Sequence, residues 1–134
     1  MEDDHLDVPA NAENLKKIRD FVRGYIDKCK GLESYKDEIV LAIDEACQNV
    51  VRHAYRDKNG NVAIKLSFQN KEFIVSLEDD GIPAIPEKIK PRNIEDIKPG
   101  GLGTFFINQI MDSVSFQSTS PHWVNCLTMK KKIK

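Results

Sequence analysis

The sequence predicts an α+β fold, a two-layer α/β sandwich in which a mixed or antiparallel sheet carries helices on one face. Three observations predict it. Two amphipathic helical patterns come first, two pairs of alternating strands follow, and a long segment with several prolines separates the pairs. The chain has 134 residues, 40% of them hydrophobic, which suits one compact domain over residues 1–134.

Two helical patterns fill the first part of the chain. Residues 12–29 gather their apolar side chains on one stripe, as an amphipathic helix requires. Gly31 ends this helix, and Ser34 with Asp37 resembles a capping box that opens a second helix reaching Tyr55. The expected inward residues are Leu15, Ile18, Phe21, Val22, Tyr25 and Ile26 in the first helix and Ile39, Ile43, Ala46, Val50 and Ala54 in the second.

Alternation of apolar and polar residues then predicts strands over 62–68 and 72–78, joined by the turn 69–71 into a hairpin. A short helix over 104–112 and a second hairpin, turning at 120–122, are expected near the end of the chain.

A long polar segment without periodicity lies between the two hairpins. Such segments in small domains are usually functional or disordered. We interpret residues 84–103 as a lid over a binding site.

Charge and composition exclude several classes of function. The 20 basic and 21 acidic residues leave a net charge of −1, which gives no reason to expect a nucleic-acid partner. The odd number of cysteines, Cys29, Cys47 and Cys126, and the absence of a C-x-x-C spacing, indicate neither a disulfide framework nor a zinc site. No apolar run approaches the roughly 18 residues of a membrane span, and the start MEDDHLD is acidic, unlike a signal peptide. We therefore expect a cytoplasmic protein without a membrane partner.

Three stretches carry possible binding chemistry, and the first is EACQNVVRHAY. Glu45 and Asn49 are one helical turn apart, so they share a face of the second helix. A pair of this kind alone usually belongs to the solvent-exposed polar face of an amphipathic helix. Further groups are needed before it indicates a site.

The stretches DDGIP and PGGLGTFFI supply such groups. Asp79, at the end of a strand, can accept a hydrogen bond from an amino group, and Gly81 lets the backbone approach a flat ligand. Gly101 and Gly103 precede a helix whose free N–H groups suit a phosphate. Taken singly, these stretches also fit a strand-ending turn and a flexible lid anchor.

The order of the three stretches resembles the GHKL ATPase superfamily, which has a histidine-kinase-like ATPase domain. More narrowly, EACQNVVRHAY, DDGIP and GGLGTFFINQIMDSV resemble the anti-sigma factor serine/threonine protein kinases of bacteria. The resemblance covers about Glu38 to Asp112. It implies an ATP-dependent kinase that phosphorylates an antagonist (anti-anti-sigma) protein and sequesters a sigma factor, usually as a homodimer.

The resemblance also implies roles for individual residues. Glu45 matches the general base, Asn49 the Mg²⁺ ligand, Asp79 the aspartate that binds the adenine amino group, and Gly81 the glycine beneath the base. In the third stretch, the backbone of Gly101, Leu102, Gly103 and Thr104 matches the part that holds the phosphates of ATP. His53 and the lid cations Lys88, Lys90 and Arg92 receive no assigned role.

The sequence departs from the superfamily pattern in two places. Pro83 replaces a glycine, as it also does among the anti-sigma kinases. In the last hairpin, residues near Asn125 and Cys126 replace a Gly-Thr pair that often completes the adenine site. A sensor histidine kinase is disfavoured because no dimerisation segment with a phospho-accepting histidine precedes the domain.

Two alternatives to the kinase interpretation remain open. One is a nucleotide-responsive binding module that is weakly active or inactive and acts by partner capture, which the altered last hairpin favours and the presence of Glu45 disfavours. The other is an uncoupled ATPase of the chaperone or mismatch-repair type. We expect it less, because this sequence lacks the additional domains that such proteins need to use hydrolysis.

Overall fold

A computed structural model describes residues 2–51, 60–79, 107–117 and 125–133. Among them, residues 107–110 are helical. The other elements, in chain order, are β1 (Asp4–Pro9), α1 (Leu15–Asp27), α2 (Lys36–Asn49), β2 (Asn61–Gln69), β3 (Glu72–Asp79), β4 (Ser113–Gln117) and β5 (Asn125–Lys132).

The five strands form one sheet in the order β1-β2-β3-β5-β4. Every neighbouring pair of described strands is antiparallel. The α+β class and the sheet predicted from the sequence are therefore confirmed, and among the described strands the pairing is antiparallel rather than mixed.

The β2–β3 hairpin has a tighter turn than predicted. Gln69 is still part of β2, where it pairs with Glu72, so only Asn70 and Lys71 form the turn. Their φ angles are 54° and 62°. Positive φ at both central residues is typical of the two-residue type I′ turn, whose twist matches that of the flanking strands. The predicted three-residue turn was too long by one residue.

The predicted order of elements, which began with a helix, was wrong because it omitted β1. This strand pairs with β2 from Asp4 opposite Leu66 to Pro9 opposite Asn61. Only Leu6 and Val8 alternate within a segment that is otherwise acidic or polar, so its periodicity is weak. Charged residues and a proline are typical of an edge strand, where they discourage pairing with other chains.

Helix α1 is shorter than the predicted 12–29. Residues 12–14 form a 3₁₀ turn, capped by the Asn11 side chain, which accepts a hydrogen bond of 3.1 Å from the Asn14 N–H. The α-helix ends at Asp27, and Gly31 has a φ of 92°, a conformation that glycine adopts without strain. The prediction that Gly31 separates the two helices holds.

Helix α2 does not begin with the predicted capping box. Its N-cap is Tyr35, which makes no side-chain capping bond, and Ser34 lies inside the preceding 3₁₀ turn Glu33–Tyr35. Asp37 instead sits in the first turn, where a negative charge complements the helix dipole. At the other end, 50–51 continue in wider π-helical geometry, and the predicted end at Tyr55 lies outside the described residues.

Helices α1 and α2 share one core with alternate residues of the sheet. Tyr25 of α1 contacts Phe73 of β3 with ring centroids 6.4 Å apart. The expected inward residues are buried in the core or packed against it, except Ala54, which lies outside the described residues. The most deeply buried large side chains include Ile18, Ile26, Leu32, Ile39, Ile43, Ile64, Leu66, Phe73, Leu77 and Met129.

The helical residues 107–110 are tied to the end of β5. The Lys131 ammonium donates a 2.7 Å hydrogen bond to the carbonyl of Ile110 and lies 5.4 Å from the centre of the Tyr35 ring. The Asp112 carboxylate accepts a 2.6 Å hydrogen bond from the Lys132 N–H. Met111 and Asp112 are not helical, so the helix expected over 104–112 ends earlier than predicted.

Candidate functional site

Helix α2 places Glu45 and Asn49 one turn apart near its C-terminal end. Both side chains are half-buried, because they flank the stripe of Ala42, Ala46 and Cys47 that packs into the core. Asn49 interacts with another group of the protein. The helix thus presents a carboxylate and an amide side by side at the margin of the core.

Asp79 is the last residue of β3 and one of the two buried polar residues in the described part of the chain, with 4% of its surface exposed. It continues the row Phe73, Val75 and Leu77, so it faces the helices rather than the open side of the sheet. It lies opposite Val62 of β2 and Asn125 of β5. Because a buried carboxylate needs partners, its position is consistent with its interaction with other groups of the protein.

Glu78, the neighbour of Asp79, points to the open side of the sheet. Its carboxylate lies 2.8 Å from the Lys65 ammonium on β2. This hydrogen bond and the charge of Glu78 raise the pKa of Lys65 above its ordinary value. The two acidic residues at the end of β3 therefore belong to different surfaces.

Asp44 forms a small polar network next to Glu45. One of its oxygens accepts a 2.9 Å hydrogen bond from Arg19 of α1, and the other accepts a 2.7 Å bond from the amide of Gln48. The side chains of Arg19 and Asp44 are 32% and 14% exposed, so this is a partly buried ion pair. It connects α1 to the turn of α2 that carries Glu45 and Asn49.

A family description, the histidine kinase-like ATPase domain, matches residues 8–131. The chain belongs to this family. The match begins at Val8, near the end of β1, and includes both helices and nearly all of β5, which is more of the chain than the stretch from Glu38 to Asp112 that carried the resemblance.

Two relatives of this histidine kinase-like ATPase domain are both serine-protein kinases named RsbW. The chain is 32% identical over 123 residues to the serine-protein kinase RsbW of Halalkalibacterium halodurans, covering 86% of the chain and 75% of the relative. It is 28% identical over 117 residues to the serine-protein kinase RsbW of Bacillus thuringiensis, covering 81% and 73%. The chain is thus a member of the RsbW-like family, and the resemblance seen in the sequence is confirmed.

Solved structures agree on the fold. The RsbU and RsbW domains of Rv1364c from Mycobacterium tuberculosis match with a TM-score of 0.71 and 14% identity, covering 98% of this chain and 32% of that one. The catalytic domain of the histidine kinase ThkA matches with a TM-score of 0.58 and 14% identity, covering 98% and 97%. These similarities show that the ATPase-domain architecture is shared.

Several predicted site residues lie outside the described residues of this histidine kinase-like ATPase domain. They are Gly81 beneath the expected base and the segment Gly101, Leu102, Gly103 and Thr104 expected at the phosphates. The same holds for His53, Pro83, the lid over 84–103 and its cations Lys88, Lys90 and Arg92. The structure therefore describes the helix half of the predicted site and its strand-end carboxylate.

The ATPase domain contains polar residues that the sequence prediction missed. Asp44 was not singled out, although its four-residue spacing from Gln48 was a usable signal for a side-chain pair. Its contact with Arg19 joins residues 25 apart in the chain, and no local pattern predicts such a contact.

Burial sets the chemistry of the three thiols. It raises the pKa of Cys47 far above the ordinary value, and the nearby charge of Asp44 adds to the effect. Burial also raises the pKa of Cys29 and of Cys126. All three favour the protonated thiol, and Cys47 is a small core residue, as expected from the sequence.

Within the described ranges, no cluster of three or more His, Cys, Asp or Glu side chains is arranged to hold a metal ion. In the same part of the chain, no helix is long and apolar enough to cross a membrane.

Proposed function

We propose that this chain is an ATP-dependent serine/threonine protein kinase of the anti-sigma type. One observation carries the proposal: Glu45 and Asn49 lie side by side on the turn of α2 nearest its end, and Asp79 is buried on the same side of the sheet as that helix. A base, a hard oxygen ligand and an acceptor for an amino group are the parts that phosphoryl transfer from ATP requires.

Asp79 would bind the adenine. A carboxylate offers about four acceptor positions on its two oxygens, so Asp79 can keep its present interaction and accept a further bond from the adenine amino group. Burial strengthens that bond, because little water competes for the acceptor. Gly81 would lie beneath the ring, where the absence of a side chain allows close approach.

Asn49 would supply a protein ligand to Mg²⁺. The side-chain amide provides a neutral oxygen, and Mg²⁺ in nucleotide sites commonly keeps several waters and binds substrate phosphates beside one or two protein ligands. When bound, Mg²⁺ neutralises charge on the phosphates of ATP. The backbone of Gly101, Leu102, Gly103 and Thr104 would donate N–H groups to the phosphates, and residues 84–103 would close over them as a lid.

Glu45 would orient or deprotonate the acceptor hydroxyl. It is half-buried and lies one helical turn from Asn49. If Asn49 binds the Mg²⁺ that contacts the phosphates, the Glu45 carboxylate would lie near the terminal phosphate. The serine or threonine belongs to a partner protein. The RsbW relatives are named serine-protein kinases, which favours serine as the acceptor.

The family likeness supports the remaining parts of the proposal. The phosphoacceptor would be an antagonist (anti-anti-sigma) protein, the chain would also sequester a sigma factor, and the active form would be a cytoplasmic homodimer built from a single domain over residues 1–134. Neither nucleic acid nor membrane is needed for this activity.

The test is a titration of the protein with ATP, with and without Mg²⁺, followed by an assay of radiolabelled phosphate transfer to candidate antagonist proteins. We expect Mg²⁺ to strengthen ATP binding and label to appear on serine or threonine of one candidate. Glu45→Gln should bind ATP within about twofold of the unaltered protein and lose at least about a hundredfold in transfer rate. Full transfer by Glu45→Gln would remove Glu45 from the role of base.

One observation favours a second candidate, the nucleotide-responsive binding module that acts by partner capture. The usual Gly-Thr pair is replaced by residues near Asn125 and Cys126 of β5, which lie directly opposite Asp79 and Glu78, respectively. The departure from the family pattern is thus next to the proposed adenine carboxylate. ATP binding without transfer to any candidate antagonist, together with capture of a sigma factor, would favour this second function.

A further inference from the structure

We infer that Asp44, held between Arg19 and Gln48, is a positioning residue that fixes the orientation of Glu45 and Asn49. This inference rests on the proposed function, because it assigns a purpose to the orientation of those two side chains. The relevant surface is the contact between α1 and the last two turns of α2.

Both oxygens of Asp44 are engaged by different elements. Arg19 reaches across from α1 to Oδ1 at 2.9 Å, whereas Gln48 donates to Oδ2 at 2.7 Å from within α2. The carboxylate therefore links the two helices and also links two successive turns of α2. A carboxylate held at both oxygens has little freedom to rotate.

The anchor on the α1 side is rigid. The neighbouring residues Ile18 and Val22 are buried in the core, and Tyr25 packs against Phe73 of the sheet. Arg19 therefore extends from a helix whose position is set by the core. Its hydrogen bond to Asp44 transmits that position to α2.

The linked turn of α2 directly precedes residues where the helix becomes irregular. The N–H of Val50 donates a shared hydrogen bond to the carbonyls of Ala46 and Cys47, and residues 50–51 are π-helical. Helix ends lose regular backbone hydrogen bonds and fray, and wide turns of this kind are common at functional sites. The side-chain hydrogen bond between Gln48 and Asp44 stabilises the preceding turn in addition to its backbone hydrogen bonds.

Glu45 and Asn49 each follow a member of the network in the chain. Each step along an α-helix rotates the side-chain direction by about 100°. A change in the rotation of this turn about the helix axis would therefore swing Glu45 and Asn49 by the same angle. Shifts of about 1 Å at a reacting group can cost about a hundredfold in rate, so a link that limits such rotation has a functional consequence.

The experiment compares Asp44→Asn with a matched control, Glu78→Gln. Both variants neutralise a largely buried carboxylate in an ion pair that joins two elements, but Lys65 and Glu78 lie on the open side of the sheet. For each variant we measure ATP affinity by calorimetry without Mg²⁺, the gain in affinity on adding Mg²⁺, and the rate of phosphate transfer from ATP to the antagonist protein. The double variant Arg19→Asp with Asp44→Arg restores the ion pair with reversed charges.

We expect Asp44→Asn to bind ATP within about twofold without Mg²⁺ but to lose about tenfold in the Mg²⁺-dependent gain in affinity and in the rate of phosphate transfer. Glu78→Gln should change neither quantity by more than about twofold, and the charge-reversed double variant should recover most of the loss. Equal effects of Asp44→Asn and Glu78→Gln would overturn the inference. The inference would also be overturned if Asp44→Asn lost as much affinity for ATP without Mg²⁺ as it lost in the Mg²⁺-dependent gain, because such a loss indicates general destabilisation.

A second measurement needs no nucleotide and separates this inference from the proposed function. Amide hydrogen exchange of the ligand-free protein should become about tenfold faster over residues 46–51 in Asp44→Asn, with little change over residues 39–43. If the unaltered protein binds no ATP, the proposed kinase function fails. Exchange then decides whether Asp44 orders this turn, and unchanged exchange over residues 46–51 would refute that role.

Discussion

Glu78 and Asp79 are consecutive acidic residues of β3 that point to opposite sides of the sheet. Glu78 pairs with Lys65 on the open side, and Asp79 faces the helices. They are 8% and 4% exposed, so their burial is nearly the same. The chain thus contains two adjacent buried carboxylates of which only one is expected to contact nucleotide.

This arrangement makes Asp79→Asn a sharp test of the adenine contact. We expect at least about a tenfold loss of ATP affinity, since the amide retains one acceptor oxygen and loses the negative charge that strengthens the bond to the amino group. Isothermal titration calorimetry of both variants measures the difference. Glu78→Gln serves as the control and should bind ATP within about twofold of the unaltered protein. Equal losses in both variants would mean that the effect comes from the sheet and not from contact with adenine.

A second prediction concerns Asn49 and magnesium. Asn49→Ala should bind ATP with nearly unchanged affinity when EDTA is present, and should lose most of the gain that Mg²⁺ gives the unaltered protein. The reason is that the variant removes one oxygen ligand while leaving the adenine contact intact. Titrations across a range of Mg²⁺ concentrations at fixed ATP give the half-saturating concentration, which we expect to rise by about tenfold or more.

Gln48→Ala is a useful companion to Asn49→Ala. It removes a side-chain amide from the adjacent position of α2. The Gln48 amide donates a hydrogen bond to Asp44 and does not share the helix face of Glu45 and Asn49. A smaller rise in the half-saturating Mg²⁺ concentration is expected for this variant. If the two variants were equally impaired, Asn49 would have no special role as a ligand.

The parts of the fold that the sequence predicted well have strong local periodicity. The alternation in β2 and β3 set their faces correctly, and the inward stripe of α1 followed from the spacing of Ile18, Val22 and Tyr25. Glu45 and Asn49 were placed on one face because helical geometry alone fixes a four-residue spacing. These features depend on short stretches of chain, so they can be inferred without tertiary structure.

The features that were missed depend on distant contacts or on weak patterns. Strand β1 is stabilised by pairing with β2 and carries only Leu6 and Val8 as apolar markers. The capping box failed because Ser34 became part of a 3₁₀ turn, which the pattern of residue types does not distinguish from a helix start. The link between Arg19 and Asp44 exists only once α1 and α2 have packed together.

A third prediction follows from the buried thiol of Cys47. Its pKa is raised in the folded protein, so above pH 9.0, the ordinary pKa of a thiol, the unfolded chain loses a proton that the folded protein keeps. The stabilising contribution is complete below that pH and declines as pH rises towards the folded pKa, by up to about 1.4 kcal/mol per pH unit. Urea unfolding between pH 9 and pH 10 tests this, because Tyr25, with an ordinary pKa of 10.0, ionises only later.

Cys47→Ala should be less stable than the unaltered protein by about 1 kcal/mol at pH 7, because it removes buried sulfur. Its free energy of unfolding should nevertheless fall less steeply between pH 9 and pH 10. Cys126→Ala is the control, since Cys126 is only half-buried and its removal should change the slope less. Parallel pH curves for Cys47→Ala and the unaltered protein would contradict the prediction.

The last prediction concerns the β2–β3 turn and is independent of function. Lys71 adopts a φ of 62°, a left-handed conformation that costs a non-glycine residue about 1–2 kcal/mol, whereas glycine adopts it freely. Lys71→Gly should therefore stabilise the protein by a net of about 0.5–1 kcal/mol, after the larger backbone entropy of glycine in the unfolded chain is subtracted. The Lys71 carbonyl accepts a 2.9 Å hydrogen bond from the Ile133 N–H, and this backbone contact does not need the side chain.

Asn70→Gly is the matched control at the adjacent position, because asparagine tolerates positive φ better than lysine and should gain less. Urea unfolding at pH 7 measures both variants, and a lower midpoint for Lys71→Gly would show that the lysine side chain contributes more than the strain it imposes.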